Sequence, residues 1–396
     1  MRILLIAIIL FLLVMLDYKL GERVYKSALK KKEYPNRQSD LTLFTTGEAL
    51  FNDYFAELKQ AKYHIHILFY IVRNDDVSQQ LLNLLKKKAE EGVEVRVLVD
   101  WIGSLGLSRK TIQSLKESGI QFAFSNKPSF PFFFYKLNER NHRKITVIDG
   151  KIGYLGGFNV GKEYMGQDPK FGNWRDYHLK IVGEGVQDLQ TQFRTDWKQA
   201  TGVAFSKTET YFPPLPQGKM KHQLIPTDGM YLQEKYIDLI KQAKREIIIG
   251  SPYFIPGKKV MKALLDAAER GVHITIITPM QADHMFVKEA AMPYFHQLLK
   301  ANCDIYRFYD GFYHAKVIVI DDEVCDIGTA NFDKRSFFIN YEMNGYIYDK
   351  AFIQSLKEAI ARDLETSEKL TMPFFQNRTI VDRVKETIAT ILSPLL

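Results

Sequence analysis

His142 and Lys144 stand two residues apart in "NHRKITVID" (141–149), and Asp149 follows the lysine by five. "YHAKVIVID" (313–321) repeats the arrangement with His314, Lys316 and Asp321. Residues two apart on a strand share a face, so each imidazole emerges beside an ammonium group. Two such pairs facing one cleft suit transfer at a phosphodiester. One neutral His attacks phosphorus and forms a phosphohistidine, while the other, protonated, serves the leaving alkoxide and later accepts a proton from the incoming alcohol. Two ammonium groups stabilise the charge of the pentacovalent transition state. This chemistry requires no metal or other cofactor, and no HExxH helix or carboxylate cluster stands ready to hold a metal. Asp149 precedes Gly150 at a hairpin signal, so both aspartates are expected to support strand ends rather than touch substrate.

A lone His near a Lys is more often a surface or satisfied core residue. Duplication at equivalent points of a repeat favours function, and further residues repeat with it. Asn159 and Asn331 each follow their histidine by seventeen residues, where an amide can donate to a phosphoryl oxygen. Thr329 offers a hydroxyl where the first copy has Gly157. Asp176 and Glu342 come later and could each hold an imidazole by its other nitrogen, fixing the tautomer.

The elements that position these residues also repeat. "ELKQAKYHIHILFYIV" (57–72) is echoed by "LIKQAKREIIIGSPYFI" (239–255), each followed by a helical segment and an apolar β run. Strands separated by helices imply βαβ units on a largely parallel sheet. The expectation is a duplicated α/β fold of two similar, pseudo-symmetrically packed halves, 41–205 and 206–370, parted near the Pro- and Gly-interrupted stretch 201–219. A C-terminal helical segment, 371–396, follows; its face of Val384, Ile388, Ile391, Leu392 and Leu395 is expected to pack on the protein's own core.

At 396 residues, 46% hydrophobic and 25% charged, the chain is too apolar to be disordered and too long for one small core. Its net charge of +8 favours anionic partners: nucleic acid, anionic head groups or phosphate-bearing substrates. Two cysteines, Cys303 and Cys325, exclude a disulfide framework and read as core residues. Fourteen apolar residues, Ile3 to Leu16, open the chain without an A-x-A-like cleavage site after them, which predicts an uncleaved membrane anchor over 1–20. Lys19, Arg23, Lys26, Lys30, Lys31 and Lys32 form a basic juxtamembrane linker (21–40) with its approach, suited to anionic lipid and to a cytoplasmic catalytic part. The run "FPFFFY" (130–135) suits either a bilayer interface or a buried loop.

The two H-x-K-x-x-x-x-D stretches with their following Gly and Asn residues resemble the phospholipase D superfamily. "KFGNWRDYHLKI", "GSPYFIPG" and "GTANFDKRSFFINYEMN" are similar to segments of bacterial cardiolipin synthases, a likeness running from about Thr45 to the C-terminus. The resemblance implies one active site between the halves. Its catalytic residues would be His142, Lys144, Asp149, His314, Lys316 and Asp321, with Asn159, Asn331, Thr329, Glu342 and Asp176 in support. It further implies His142 as nucleophile, His314 as acid and base, and joining of two phosphatidylglycerol molecules into cardiolipin with release of glycerol. No nucleic acid or obligate protein partner is expected. A phospholipid hydrolase and a membrane-associated nucleic-acid phosphodiesterase are the rival readings. The resemblance departs at the N-terminus, where such synthases commonly carry two membrane spans and this chain has one short apolar segment.

Overall fold

The computed structural model describes residues 2–206 and 208–393. The chain begins with α1 (Arg2–Ala28), followed by β1 (Asn36–Thr46) and α2 (Gly47–Gln60). A βαβαβ run follows: β2 (His64–Phe69), α3 (Asp76–Glu90), β3 (Glu94–Asp100), α4 (Arg109–Glu117) and β4 (Gln121–Ser125). After α5 (Phe133–Asn138) come β5 (Ile145–Ile148), β6 (Ile152–Gly156), β7 (Trp174–Gly183) and α6 (Gly185–Thr201). The second half retraces this order: β8 (Met220–Asp228), α7 (Leu232–Gln242), β9 (Glu246–Gly250), β10 (Phe254–Ile255), α8 (Gly257–Glu269), β11 (His273–Pro279), α9 (Val287–Lys300) and β12 (Asp304–Phe308). Then come β13 (Phe312–Tyr313), β14 (Val317–Ile320), β15 (Val324–Gly328), β16 (Phe332–Asp333), α10 (Lys334–Phe338), β17 (Tyr341–Ile347) and α11 (Lys350–Glu365). The chain closes with β18 (Ser367–Lys369), α12 (Met372–Gln376) and α13 (Ile380–Leu392).

One continuous sheet runs β18-β12-β11-β9-β14-β15-β17-β8-β1-β7-β6-β5-β2-β3-β4. The order is a near palindrome about the antiparallel β1–β8 pair, which joins the halves edge to edge. Along this order the parallel pairs lie within β2-β3-β4 and β9-β11-β12, and off it β13 pairs in parallel with β7 and β10 with β16. The expectation of a largely parallel sheet is corrected there. Connections as short as those after β5 and β14 can only fold a strand back on itself, so the inner strands are antiparallel. Strands β2 ("HIHILF") and β5 ("ITVI") are buried along their whole length because helices cover both faces of the sheet. Cys303 and Cys325 are buried and free.

Among the described residues no helix is long and apolar enough to cross a membrane. α1 is a 27-residue helix. Its last turns lie on α5: Tyr25 stacks on Tyr135 at 5.3 Å, and Asp17 accepts the Phe134 amide at 2.8 Å. Its leading apolar side chains, from Leu5 to Leu16, stand largely in the open. The α13 expectation is corrected: Val384, Ile388 and Ile391 are exposed, while Ala389 on another face is buried against Val287 and Ala290 of α9. Apolar residues at helical spacing show that a face exists, not what covers it. Leu395, and the side chain of Leu392, lie outside the described residues. Within "FPFFFY", Phe130 is 83% exposed while Tyr135 is buried.

Candidate active site

Each His-x-Lys segment enters the site hydrogen-bonded to the other half. The amide of His142 donates to the Tyr341 carbonyl at 2.9 Å, beside a parallel bridge between Asn141 and Tyr341. The amide of His314 donates to the Arg175 carbonyl at 2.7 Å, where β13 pairs in parallel with β7. These crossed pairings bring both imidazoles to the join between the halves.

The carboxylates cross as well. Glu342, from the second half, receives His142 Nδ1 at 2.9 and 3.1 Å. Asp176, from the first half, receives His314 Nδ1 at 2.6 Å. An ionised carboxylate only accepts, so the pairing with Glu342 puts the His142 proton on Nδ1 and leaves Nε2 its lone pair; at His314, Asp176 favours the same tautomer while Lys316 Nζ also stands 2.5 Å from Nδ1. The two carboxylates are fully buried, whereas the imidazole side chains keep 10% and 9% of their surface open. A substrate can reach the rings but not the groups behind them.

Glu342 is held by three more donors: Thr329 Oγ1 at 2.6 Å, Ser336 Oγ at 2.9 Å and Asn340 Nδ2 at 3.4 Å. Asp176 instead takes the Tyr177 amide at 2.8 Å and Lys316 Nζ at 3.3 Å. A Cβ on Gly157 would lie 2.0 Å from Asp176 Oδ1, so the first half has no room for a counterpart of Thr329. Lys144 Nζ donates to the His142 carbonyl at 2.7 Å, and Lys316 donates likewise to that of His314. Tyr70 packs edge-on to His142 at 4.9 Å, and Trp174 lies 4.8 Å from His314.

Burial dominates the protonation of this site. It lowers His142 below the usual imidazole value despite Glu342, and brings His314 down to about 4, with Lys316 adding to the shift. Burial also pulls Lys144 well below the ordinary lysine range and Lys316 to about 8. Burial works against ionising Asp176 and Glu342, but the groups facing them outweigh it, Lys316 and His314 for the first and His142 for the second. Both carboxylates therefore sit below their ordinary values. At neutral pH both imidazoles are neutral and both carboxylates ionised, and Lys316 carries an ammonium of weakened basicity.

The two aspartates of the repeated pattern lie elsewhere, which corrects their placement among the catalytic residues. Asp149 sits beyond the far end of β5 with φ +52°, and its carboxylate accepts the amides of Lys62, Tyr63 and His64 at 2.7–2.9 Å. Asp321 does the same for Lys244, Arg245 and Glu246 at 2.8–3.0 Å. Each ties the end of one strand to the start of its neighbour. Asn159 is also committed to backbone, taking the Ile71 amide at 3.0 Å. Among the described residues Asn331 Oδ1 is buried without a hydrogen-bond partner.

Sequence reasoning missed Ser336, Asn340, Tyr70, Trp174 and Arg143. Arg143 alternates with His142 and Lys144, so it points away from the cleft and is fully buried. There it donates to Asp196 at 2.7 Å, to Asp228, and to the Glu342 carbonyl at 3.0 Å. The signal was present, because a buried segment with three consecutive basic or imidazole residues must find an anion for the one facing inward.

Residues 54–197 and 236–364 match the family model described as "Cardiolipin synthase, PLD-like domain". The chain belongs to this family. A minor cardiolipin synthase, ClsB, of Bacillus subtilis is 44% identical over 100% of this chain and 98% of its own length. A cardiolipin synthase of Oceanobacillus iheyensis is 41% identical, covering 91% of this chain and 76% of its own. Among solved structures, a phosphatidylserine synthase of Haemophilus influenzae superposes with a TM-score of 0.72 at 15% identity, covering 95% of this chain and 100% of that one. That likeness shows the duplicated fold. This family member is a phosphatidyltransferase-type enzyme by its whole-length relatives, and the crossed His–carboxylate pairs occupy the join between its two matched segments.

Proposed function

We propose that the enzyme is a cardiolipin synthase that moves the phosphatidyl group of one phosphatidylglycerol onto a hydroxyl of a second, releasing glycerol. The observation carrying this reading is the pair of imidazoles, each with a buried carboxylate behind it and an ammonium beside it, in a chain related over its whole length to cardiolipin synthases. His142 Nε2 attacks the donor phosphorus. The N–P bond forms, the P–O bond to glycerol breaks, and the leaving oxygen takes a proton from His314. The free hydroxyl of the second lipid then attacks the phosphohistidine, gives its proton back to His314, and the N–P bond breaks. Lys144 and Lys316 balance the added charge in both transition states. Burial favours neutral His314, and the anionic phosphodiester raises its basicity on arrival.

The membrane is the expected setting. The exposed apolar turns of α1 anchor the enzyme, the basic residues after them face anionic lipid, and the catalytic part lies on the cytoplasmic side. Purified enzyme incubated with phosphatidylglycerol is expected to give cardiolipin and equimolar glycerol, with activity surviving a chelator. Phosphatidic acid alone would replace the synthase by a hydrolase; DNA cleavage without lipid turnover would replace both by a nuclease. Acid-trapped phosphohistidine should map to position 142, and a label at 314 would reverse the two roles.

A further inference from the structure

The proposed reaction gives the two histidines different tasks, while the repeat gives them similar partners. Each has a carboxylate of the other half at Nδ1 and a lysine two residues on. The residue between histidine and lysine differs: it is Arg143 in the first half and Ala315 in the second, both fully buried. An attacking imidazole must hold Nε2 in line with phosphorus, and a misplacement of about 1 Å can cost about a hundredfold in rate.

Arg143 holds the His142 segment from the face opposite the cleft, and its guanidinium spans the join between the halves. Toward the first half, Nη1 donates to Asp196 of α6 at 2.7 Å. Toward the second, Nε donates to the Glu342 carbonyl at 3.0 Å, and Nη2 to the Thr227 carbonyl at 3.2 Å and to Asp228. Glu342 and Thr227 are opposite residues of β17 and β8. The guanidinium carbon also lies 5.4 Å from the centre of the Tyr341 ring, and the Tyr341 carbonyl takes the His142 amide. One side chain therefore grips the residue whose carboxylate receives His142 Nδ1, from a backbone position adjoining His142 itself. These contacts leave in several directions from one plane, which the guanidinium fork supplies and an ammonium does not.

The second half is built otherwise. Ahead of His314 the backbone pairs over two residues, β13 on β7, where a single bridge from Asn141 to Tyr341 precedes His142. The buried arginine on that side is Arg175, which pairs with Asp363 of α11 and donates to the carbonyls of Thr45 and Ala359. Arg175 adjoins Asp176 in β7, so it fixes the strand of the carboxylate and not the segment of the histidine. Ala315 has no polar atom with which to reach across.

We infer that Arg143 is a positioning residue for the attack: it locks His142 to Glu342 across the join, and this lock, absent from the second copy, suits His142 to be the nucleophile. The inference rests on the assignment of roles above. The test uses the full-length enzyme with its histidine ring nitrogens isotope-labelled, as wild type, as Arg143→Lys, and as Arg143→Met combined with Asp196→Leu. The lysine keeps a charge for Asp196. The double variant removes both buried charges together, so neither is left unpaired, while Asp228, 39% exposed, is left to water. Per folded enzyme, both variants should lose about tenfold to a hundredfold in kcat and in the single-turnover rate of phosphohistidine formation, with KM within about twofold. The ring-nitrogen NMR signals of His142 should move toward an average of the two tautomers as its bond to Glu342 loosens, while those of His314 stay in place. A merely structural arginine would be rescued by lysine. Hence a kcat within about twofold of wild type in Arg143→Lys overturns the inference, and so do ring signals that move together or not at all. Wild-type phosphohistidine at 314 removes the assignment of roles and this inference with it. Phosphohistidine at 142 without cardiolipin removes the synthase reading alone, and the variants then decide on Arg143 by the rate of phosphohistidine formation.

Discussion

Glu342 reaches across the join between the halves with four side-chain donors on its two oxygens, His142 among them; Asp176 meets His314 with one oxygen and Lys316 beside it. The better-buttressed imidazole is the one assigned to attack, which needs a fixed ring and an available Nε2 lone pair. Replacing Glu342 by Gln keeps the size but removes the charge that stabilises the developing imidazolium. The expected result is a fall in kcat of about 10²- to 10⁴-fold with KM little changed. A kcat within twofold of wild type would remove Glu342 from the mechanism. The pH dependence follows from the protonation states of the free enzyme. The transition state holds one proton on the imidazole pair that the free enzyme lacks at neutral pH, so log kcat/KM should fall with pH above neutrality. Lys316 titrates at about 8, and its loss of charge should steepen that fall toward two protons. Lys316→Arg keeps the cation and should restore the single-proton slope; a profile flat from neutrality into the alkaline range would contradict both assignments.

At the level of elements, the strands that carry the histidines are positioned by residues that never touch substrate. Asp149 and Asp321 each gather three amides at the far strand end, and both adopt a left-handed backbone that Asp tolerates better than most residues. Asp149→Ala leaves three backbone donors without their acceptor and should cost about 1.5–3 kcal/mol. The expected signature is a lowered Tm with kcat nearly unchanged in the folded fraction at low temperature. A loss of kcat without loss of Tm would mean that the aspartate acts on the chemistry after all. The repeat made this arrangement readable, because equal spacing in two halves names equivalent residues. What it left out is pairing between halves. His142 and Glu342 are 200 residues apart, and His314 and Asp176 are 138 apart. Each histidine takes the carboxylate of the other copy because β17 and β7 lie on either side of the β1–β8 join. Internal repetition carries no record of that crossing. Arg143 was hidden for a different reason, since strand alternation places it behind the site and only the fold supplies Asp196 and Asp228 as its partners.

Across the whole molecule, the exposed apolar surface is linked around the site. α1 rests on α5, where Asp17 holds the Phe134 amide. Arg335 of α10 donates to the Asn138 carbonyl at the end of α5 at 2.8 Å, and Lys26 of α1 lies over the Phe338 ring at 5.3 Å. At its other end α10 reaches α13 through Lys334, which donates to Ser393 at 2.7 Å. Two helices with exposed apolar faces and the Phe130 tip are therefore tied to the segments flanking His142 and Asn331, so a bilayer that covered them would meet the mouth of the site. α13 differs from α1 in kind: its stripe of Val384, Ile388 and Ile391 covers one face only, which suits lying in the interface. Removing residues 2–16 should release the enzyme from anionic vesicles. Ile388→Asp with Ile391→Asp should weaken vesicle binding further while leaving turnover of detergent-dispersed phosphatidylglycerol intact. If the double aspartate variant sediments with vesicles as wild type does, α13 faces something other than lipid. If it loses detergent-phase turnover as well, the stripe supports the packing of α13 on α9 rather than the membrane contact.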